Sequence, residues 1–213
     1  MDGTLIDSTP GVYKAWETFC LNYSLGDSRE VAHSTHGRRL YDTLKEYCGI
    51  EDEIKLQAEI DRFEDEVILG GPKPLPGAEK LVSWLVSLRE AKWTIVTSAS
   101  NKYAPRALEK AGIPVPRDLI TANDVAHGKP HPAPYLAGAE KCGVEARNCL
   151  VVEDAISGLT SGRAAGARTL GVCTSTSREI LQREGKPDYI VPDLTSVSVE
   201  LIDGKIRVNI NDT

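Results

Sequence analysis

Between Gly77 and Val191 the chain alternates a helical period with a short β-branched run five times over, and this rhythm restricts the fold more than any other feature. Helical patterns over 78–90, 102–111, 132–142, 155–165 and 177–184 are each followed by an apolar run: Trp93 to Thr97, Leu119 to Thr121, Cys149 to Val152, Arg168 to Val172 and Tyr189 to Val191. Strands this short, joined by helices long enough to cross over a sheet, imply right-handed βαβ units and a parallel sheet buried on both faces. The spacing predicts a doubly wound α/β fold. After it, 197–202 and 205–210 around Asp203-Gly204 read as a β-hairpin on a type I′ turn, which needs positive φ at its centre.

The first third of the chain has a different period. Val12, Ala15, Trp16, Phe19 and Cys20 form one helical stripe, followed by a polar loop at Gly26-Asp27-Ser28. Leu40 to Tyr47 and Ile54 to Leu69 continue as two more helices, the second with Ile54, Ala58, Ile60, Phe63, Val67 and Ile68 on its apolar face. Gly70 to Gly77, rich in Gly and Pro, then stops all periodicity; it reads as a stiff linker or a loop, and its position suits a hinge. The 213 residues thus divide into an α/β core of 1–10 and 71–213 and a helical insertion of 11–70.

Composition excludes several partners. A formal net charge of −6 without a Lys/Arg run offers no footprint for nucleic acid or an anionic membrane. The five cysteines show no Cys-x-x-Cys spacing, which argues against a disulfide framework or a structural zinc site. With no apolar run long enough to span a bilayer and no signal-like start, the expectation is a monomeric protein of the cytoplasm acting on small molecules.

In an open parallel sheet, ligands bind beyond the carboxyl ends of the strands, so polar residues just past each run are the candidates. Ser98 follows the run ending at Thr97; it reads either as a ligand group or as part of a helix cap, a task that also suits Ser100 or Asn101. Lys129 is flanked by Gly128 and Pro130, so a stiff backbone holds its cation. His131 reads as a loop histidine. Glu153 and Asp154 adjoin at a strand end, where two carboxylates repel unless a cation compensates; a hard ion such as magnesium suits them, and the positive end of a helix explains only one. Asp2, before Gly3-Thr4-Leu5, reads as a carboxylate where a strand turns into a loop.

In this order and spacing, Asp2-Gly3-Thr4-Leu5, Ser98, Gly128-Lys129-Pro130 and Glu153-Asp154 resemble the four motifs of the haloacid dehalogenase superfamily of phosphatases and phosphomutases. The helical insertion sits where that family carries a small cap. Ser34 to Asp42, Thr121 to Val125 and Gly128 to Leu136 are most similar to the fungal glycerol-phosphate and 2-deoxyglucose-6-phosphate phosphatases. The resemblance implies magnesium-dependent hydrolysis of a phosphomonoester through an aspartyl phosphate. Asp2 serves as acid and base, Ser98 and Lys129 stabilise the phosphoryl group, and Asp2, Glu153 and Asp154 hold Mg2+. Gly3, Thr4, Ala99 and Asn101 line the phosphate, and His36 and Arg39 face the leaving group.

Asp2 matches the second Asp of the family's Asp-x-Asp, and Met1 falls on the x. The resemblance therefore puts the nucleophile one position before Met1, and the 213-residue chain is expected to be inactive by itself. In the insertion, His36-Gly37-Arg38-Arg39 is a short loop with polar donors and little aromatic surface, which suits a polyol or sugar phosphate. Arg39 matches an arginine of the fungal enzymes, whereas Arg38 reads equally as a solvated residue. A sugar phosphomutase and a non-catalytic phosphate-binding protein are the alternatives.

Overall fold

The computed structural model describes residues 1–88 and 90–211. It opens with a tight turn at Asp2 to Leu5 and a two-residue strand, β1 (Ile6–Asp7). Four helices follow: α1 (Thr9–Tyr23), α2 (Ser28–Ser34), α3 (Leu40–Cys48) and α4 (Glu53–Leu69). The α1 stripe behaves as its period requires: Ala15, Trp16, Phe19 and Cys20 are buried. Trp16 and Phe19 meet Phe63 of α4 edge to face at centroid separations of 5.0 and 5.2 Å, a geometry that adds quadrupole attraction to burial.

Two readings of this block need correction. The polar loop at Gly26 to Ser28 leads into α2, because the Asp27 carboxylate accepts from the Arg29 and Glu30 N–H groups and so caps a helix. On α4 the inward stripe is Leu56, Ile60, Phe63 and Val67, while Ile54 and Ala58 face solvent. Ile54 and Ala58 each precede an inward residue, Leu56 and Ile60, by two positions, about 200° around the helix, and so point away from the packed face.

The Gly/Pro segment is more constrained than a linker. Lys73–Pro74 (β2) pairs antiparallel with β1, and Leu75 N–H donates to Leu5 C=O at 2.9 Å. Gly11 and Gly70 touch backbone to backbone: a Cβ on Gly70 would stand 2.4 Å from Gly11 Cα. The two strands of chain that enter and leave the helical block are thus clasped side by side.

The βα rhythm is present as read. It runs α5 (Ala78–Ser87), β3 (Ile95–Val96), α6 (Tyr103–Lys110), β4 (Leu119–Ile120), α7 (Ala133–Lys141), β5 (Leu150–Glu153), α8 (Ile156–Ala164) and β6 (Arg168–Val172). It ends in the short α9 (Arg178–Ile180), which widens into a π-turn at Leu181–Gly185, and β7 (Tyr189–Val191). Arg89, within the helix expected over 78–90, lies outside the described residues. All pairings among β3 to β7 are parallel: β3 with β4, β5 with β6, and β6 with β7. Gly162 lets α8 lie directly on Val151 and Thr169, where a Cβ would approach to 3.0 and 3.2 Å. The mixed α/β architecture with parallel sheets is the expected class.

The hairpin closes the chain as β8 (Val197–Ile202) and β9 (Lys205–Ile210), with Asp203 and Gly204 at φ +50° and +71°, the two positive values of a type I′ turn. No described helix is long and apolar enough to cross a membrane.

Candidate active site

A cleft of about 920 Å³ lies between the helical block and the carboxyl ends of β3 and β5. Asp2, Gly3, His36, Ser98, Ala99, Lys129, Glu153 and Asp154, collected from five separated stretches of sequence, all line it. Thr4, Arg39 and Asn101 do not.

The turn at the start of the chain is built for proximity to Asp154. Gly3, at φ +71°, has no room for a side chain: a Cβ would stand 2.0 Å from Asp154 Oδ2 and 2.5 Å from Ser175 Oγ. Its N–H donates to Ile6 C=O at 2.8 Å and that of Thr4 to Met1 C=O at 3.2 Å, so both groups are used within the turn instead of facing the cleft. Thr4 sits beneath, its hydroxyl donating to Asp154 Oδ1 at 2.8 Å. The Asp2 carboxylate points another way, with Oδ1 accepting from Ser8 Oγ at 2.7 Å and from Tyr103 Oη at 2.8 Å.

The strand-end carboxylates have separate partners. Glu153 is buried and accepts from Lys129 Nζ and from the Tyr135 hydroxyl; Gly158 of α8 supplies the space, since a Cβ there would stand 2.1 Å from Glu153 Cδ. Lys129, 6% exposed, also donates to Val96 C=O at 3.2 Å and lies over the Tyr135 ring at 4.9 Å. Burial beside Glu153 pushes the Tyr135 hydroxyl well above its ordinary pKa, so it remains a donor. Asp154, 1% exposed, takes Thr4 on one oxygen and His36 Nε2 on the other at 2.8 Å. Burial works to raise the Asp154 pKa, but the His36 hydrogen bond and charge prevail and hold it below the ordinary carboxylate value. Burial opposes charge on His36 too, yet the hydrogen bond and charge of Asp154, with Glu153 and Asp2 behind, hold it above the ordinary imidazole value.

His36 arrives on the segment between α2 and α3, which is pressed onto the core. Gly37, at φ +73°, would place a Cβ 2.5 Å from Ala155 Cβ; its carbonyl accepts from Ser98 Oγ at 2.9 Å, and Ser157 Oγ donates to His36 C=O at 3.3 Å. Arg39 turns aside. It forms two hydrogen bonds to the Asp42 carboxylate at 2.8 and 2.9 Å and donates to Val125 and Ala126 C=O at 3.2 and 3.3 Å, fastening α3 to the loop before Lys129. Ala99 donates its N–H to Thr97 Oγ1, and exposed Asn101 donates its own to Asn123 Oδ1. The capping task falls to Ser100, whose Oγ accepts from Tyr103 N–H.

Reading strand ends missed several cleft residues. Glu64 on α4 is 6% exposed, accepts from Ser100 N–H at 3.0 Å and from Ser100 Oγ, and is pushed by burial to a pKa of about 7. A carboxylate on the Ile60, Phe63, Val67 stripe was the signal for it. Thr174, Ser175 and Thr176 follow β6 and could have been found by the same strand-end rule. Tyr13, Trp16 and Phe63 add aromatic wall from α1 and α4, beyond the polar loop on which the small-substrate expectation rested.

The donor set admits magnesium in a restricted form. Asp154 is a buried carboxylate at a strand end, the chemistry of a hard-ion ligand, with Thr4 on one oxygen and His36 on the other to be displaced or shared; Glu153 is already committed to Lys129. Among the described residues no three His, Cys, Asp or Glu side chains are placed to hold a metal ion together. A site there would be Asp154 with backbone oxygen and water, the sparse coordination magnesium accepts.

Comparison with known proteins gives concordant matches. The pattern of the haloacid dehalogenase-like hydrolases matches residues 1–166. Glycerol-1-phosphate phosphohydrolase 2 of Saccharomyces cerevisiae is 34% identical over 211 residues, covering 93% of this chain and 82% of the yeast protein. Hexitol phosphatase A of Escherichia coli is 37% identical over 174 residues, covering 81% and 80%. Among solved structures, a hydrolase from Pseudomonas syringae superposes with a TM-score of 0.77 at 25% identity, covering 91% of each chain.

Proposed function

The chain belongs to the haloacid dehalogenase-like hydrolases, and from that membership we propose that it is a magnesium-dependent phosphatase of small polyol or sugar phosphates that works through an aspartyl phosphate. The observation that carries this reading is the convergence of Asp2, Ser98, Lys129 and Asp154 on one cleft. Similarity to enzymes named for glycerol 1-phosphate and hexitol phosphates supports the substrate class.

In this reading residues 11–70, which hold α2 to α4 and all of α1 but its first two residues, form the cap over a core of 1–10 and 71–213. Lys129 neutralises phosphoryl charge, and Ser98 Oγ, now on Gly37 C=O at 2.9 Å, exchanges that partner for a phosphoryl oxygen. Asp2 gives a proton to the leaving oxygen and later takes one from water. When bound through Asp154 and the Asp2 carbonyl, magnesium supplies charge stabilisation for the phosphoryl oxygens. The Asp-x-Asp pattern assigns the attacking carboxylate to the residue preceding Met1, outside these 213 residues.

The test uses a chain that includes the residues encoded upstream of Met1, assayed for phosphate release from glycerol phosphate, a hexitol phosphate and deoxyhexose 6-phosphate, with and without magnesium. Magnesium-dependent release is expected, and none from the 213-residue chain. Isomerisation of a hexose phosphate without release would make it a mutase; binding without turnover would make it a phosphate-binding protein.

A further inference from the structure

Tyr103 lies at the start of α6 with only 4% of its surface exposed, yet its hydroxyl reaches across to a residue 101 positions earlier, meeting Asp2 Oδ1 at 2.8 Å. Ser8 Oγ donates to the same oxygen at 2.7 Å. Among the described residues nothing donates to Oδ2, and Asp2 lines the cleft. An oxygen accepting two O–H hydrogen bonds cannot also carry a proton without losing one of them. Protonation is therefore steered to the other oxygen.

Resting on the reading of Asp2 as acid and base, we propose that Tyr103, together with Ser8, is a positioning residue that pins Oδ1 and reserves Oδ2 as the oxygen that exchanges its proton with the leaving group and with water. A phenol facing an ionised carboxylate oxygen is its donor, since the carboxylate has no hydrogen to give, and the burial of Tyr103 limits competition from water. Its placement is itself braced. Tyr103 N–H donates to Ser100 Oγ at 3.1 Å, and Ser100 in turn donates from Oγ and N–H to Glu64 on α4. The ring is thus fixed from the helical block as well as from α6.

The experiment reads leaving-group dependence. An alkyl phosphate needs a proton on its departing oxygen, whereas p-nitrophenyl phosphate expels a stable phenolate without one. In the chain extended upstream of Met1, Tyr103→Phe is expected to lower kcat/KM for glycerol phosphate roughly ten- to a hundredfold, the worth of one hydrogen bond to a charged group, and that for p-nitrophenyl phosphate less than about twofold. Ser8→Ala, which removes the other donor, should show the same split. Equal losses on both esters, or no loss on either, in whichever of these variants folds, would overturn the proposal. Asp2→Asn run alongside separates the two levels: if it shows no split, the acid–base reading of Asp2 fails, and if it shows one that Tyr103→Phe and Ser8→Ala lack, the positioning role alone fails.

Discussion

His36 Nε2 stands 2.8 Å from Asp154 Oδ2, so a side chain of the helical block hydrogen-bonds the carboxylate that follows a core strand. One pair thereby joins the two layers of the cleft across 118 residues of sequence.

This pairing sets His36 in competition with a cation for Asp154. His36→Ala is expected to bind magnesium about two- to fivefold more tightly than the parent, the scale of a partly exposed ion pair. Calorimetric titration with magnesium chloride checks it; weaker binding in the variant would show that His36 assists the metal.

Glu64 makes stability depend on pH. Its folded pKa of about 7 lies above the ordinary 4.5. The folded state therefore holds a proton that the unfolded chain has released, and the stabilisation, complete below 4.5, is lost as pH rises through 7. Roughly 3 kcal/mol is expected to disappear between those limits. Denaturant titrations of Glu64→Gln should show this slope flattened, with the variant the more stable protein at pH 8. An unchanged slope would relocate the dependence to another group.

Lys129 and Glu153 are both buried, and removing one strands the other. Lys129→Met should cost roughly 3–5 kcal/mol of stability, and Glu153→Gln added to it should restore part of that loss. Double-mutant unfolding measurements decide: additive losses would mean the pair carries no interaction energy of its own.

Arg39 is held by Asp42, Val125 and Ala126, away from the cleft, so its role is to fasten α3 to the core. Arg39→Ala in the upstream-extended chain is expected to raise KM severalfold for every phosphate ester alike. A changed ranking among glycerol, hexitol and deoxyhexose phosphates would return Arg39 to the substrate contacts.

The order of elements was legible because it depends on local period. The runs at Arg168–Val172 and Tyr189–Val191 and the Asp203-Gly204 hairpin occur at the residues read. Strand ends likewise exposed Ser98, Lys129, Glu153 and Asp154, since a parallel sheet directs those positions to one edge. Asp27 as a cap, and Ile54 on the outer side of α4, escaped because a helix boundary depends on one side chain's hydrogen bonds and a helix's inner face on what packs against it.

The sequence alone determined which residues carry ionisable and hydrogen-bonding side chains and that a parallel sheet would gather them. Only the tertiary structure decided how they are shared out: Glu153 to Lys129, Asp154 to His36 and Thr4, Asp2 to Ser8 and Tyr103, Glu64 to Ser100, and Arg39 to α3 and its neighbouring loop. The reason is physical. A buried charge or hydrogen-bonding group must find its partner among whatever the fold brings within about 3 Å, and most of those partners lie tens to more than a hundred residues away, beyond the reach of any local pattern.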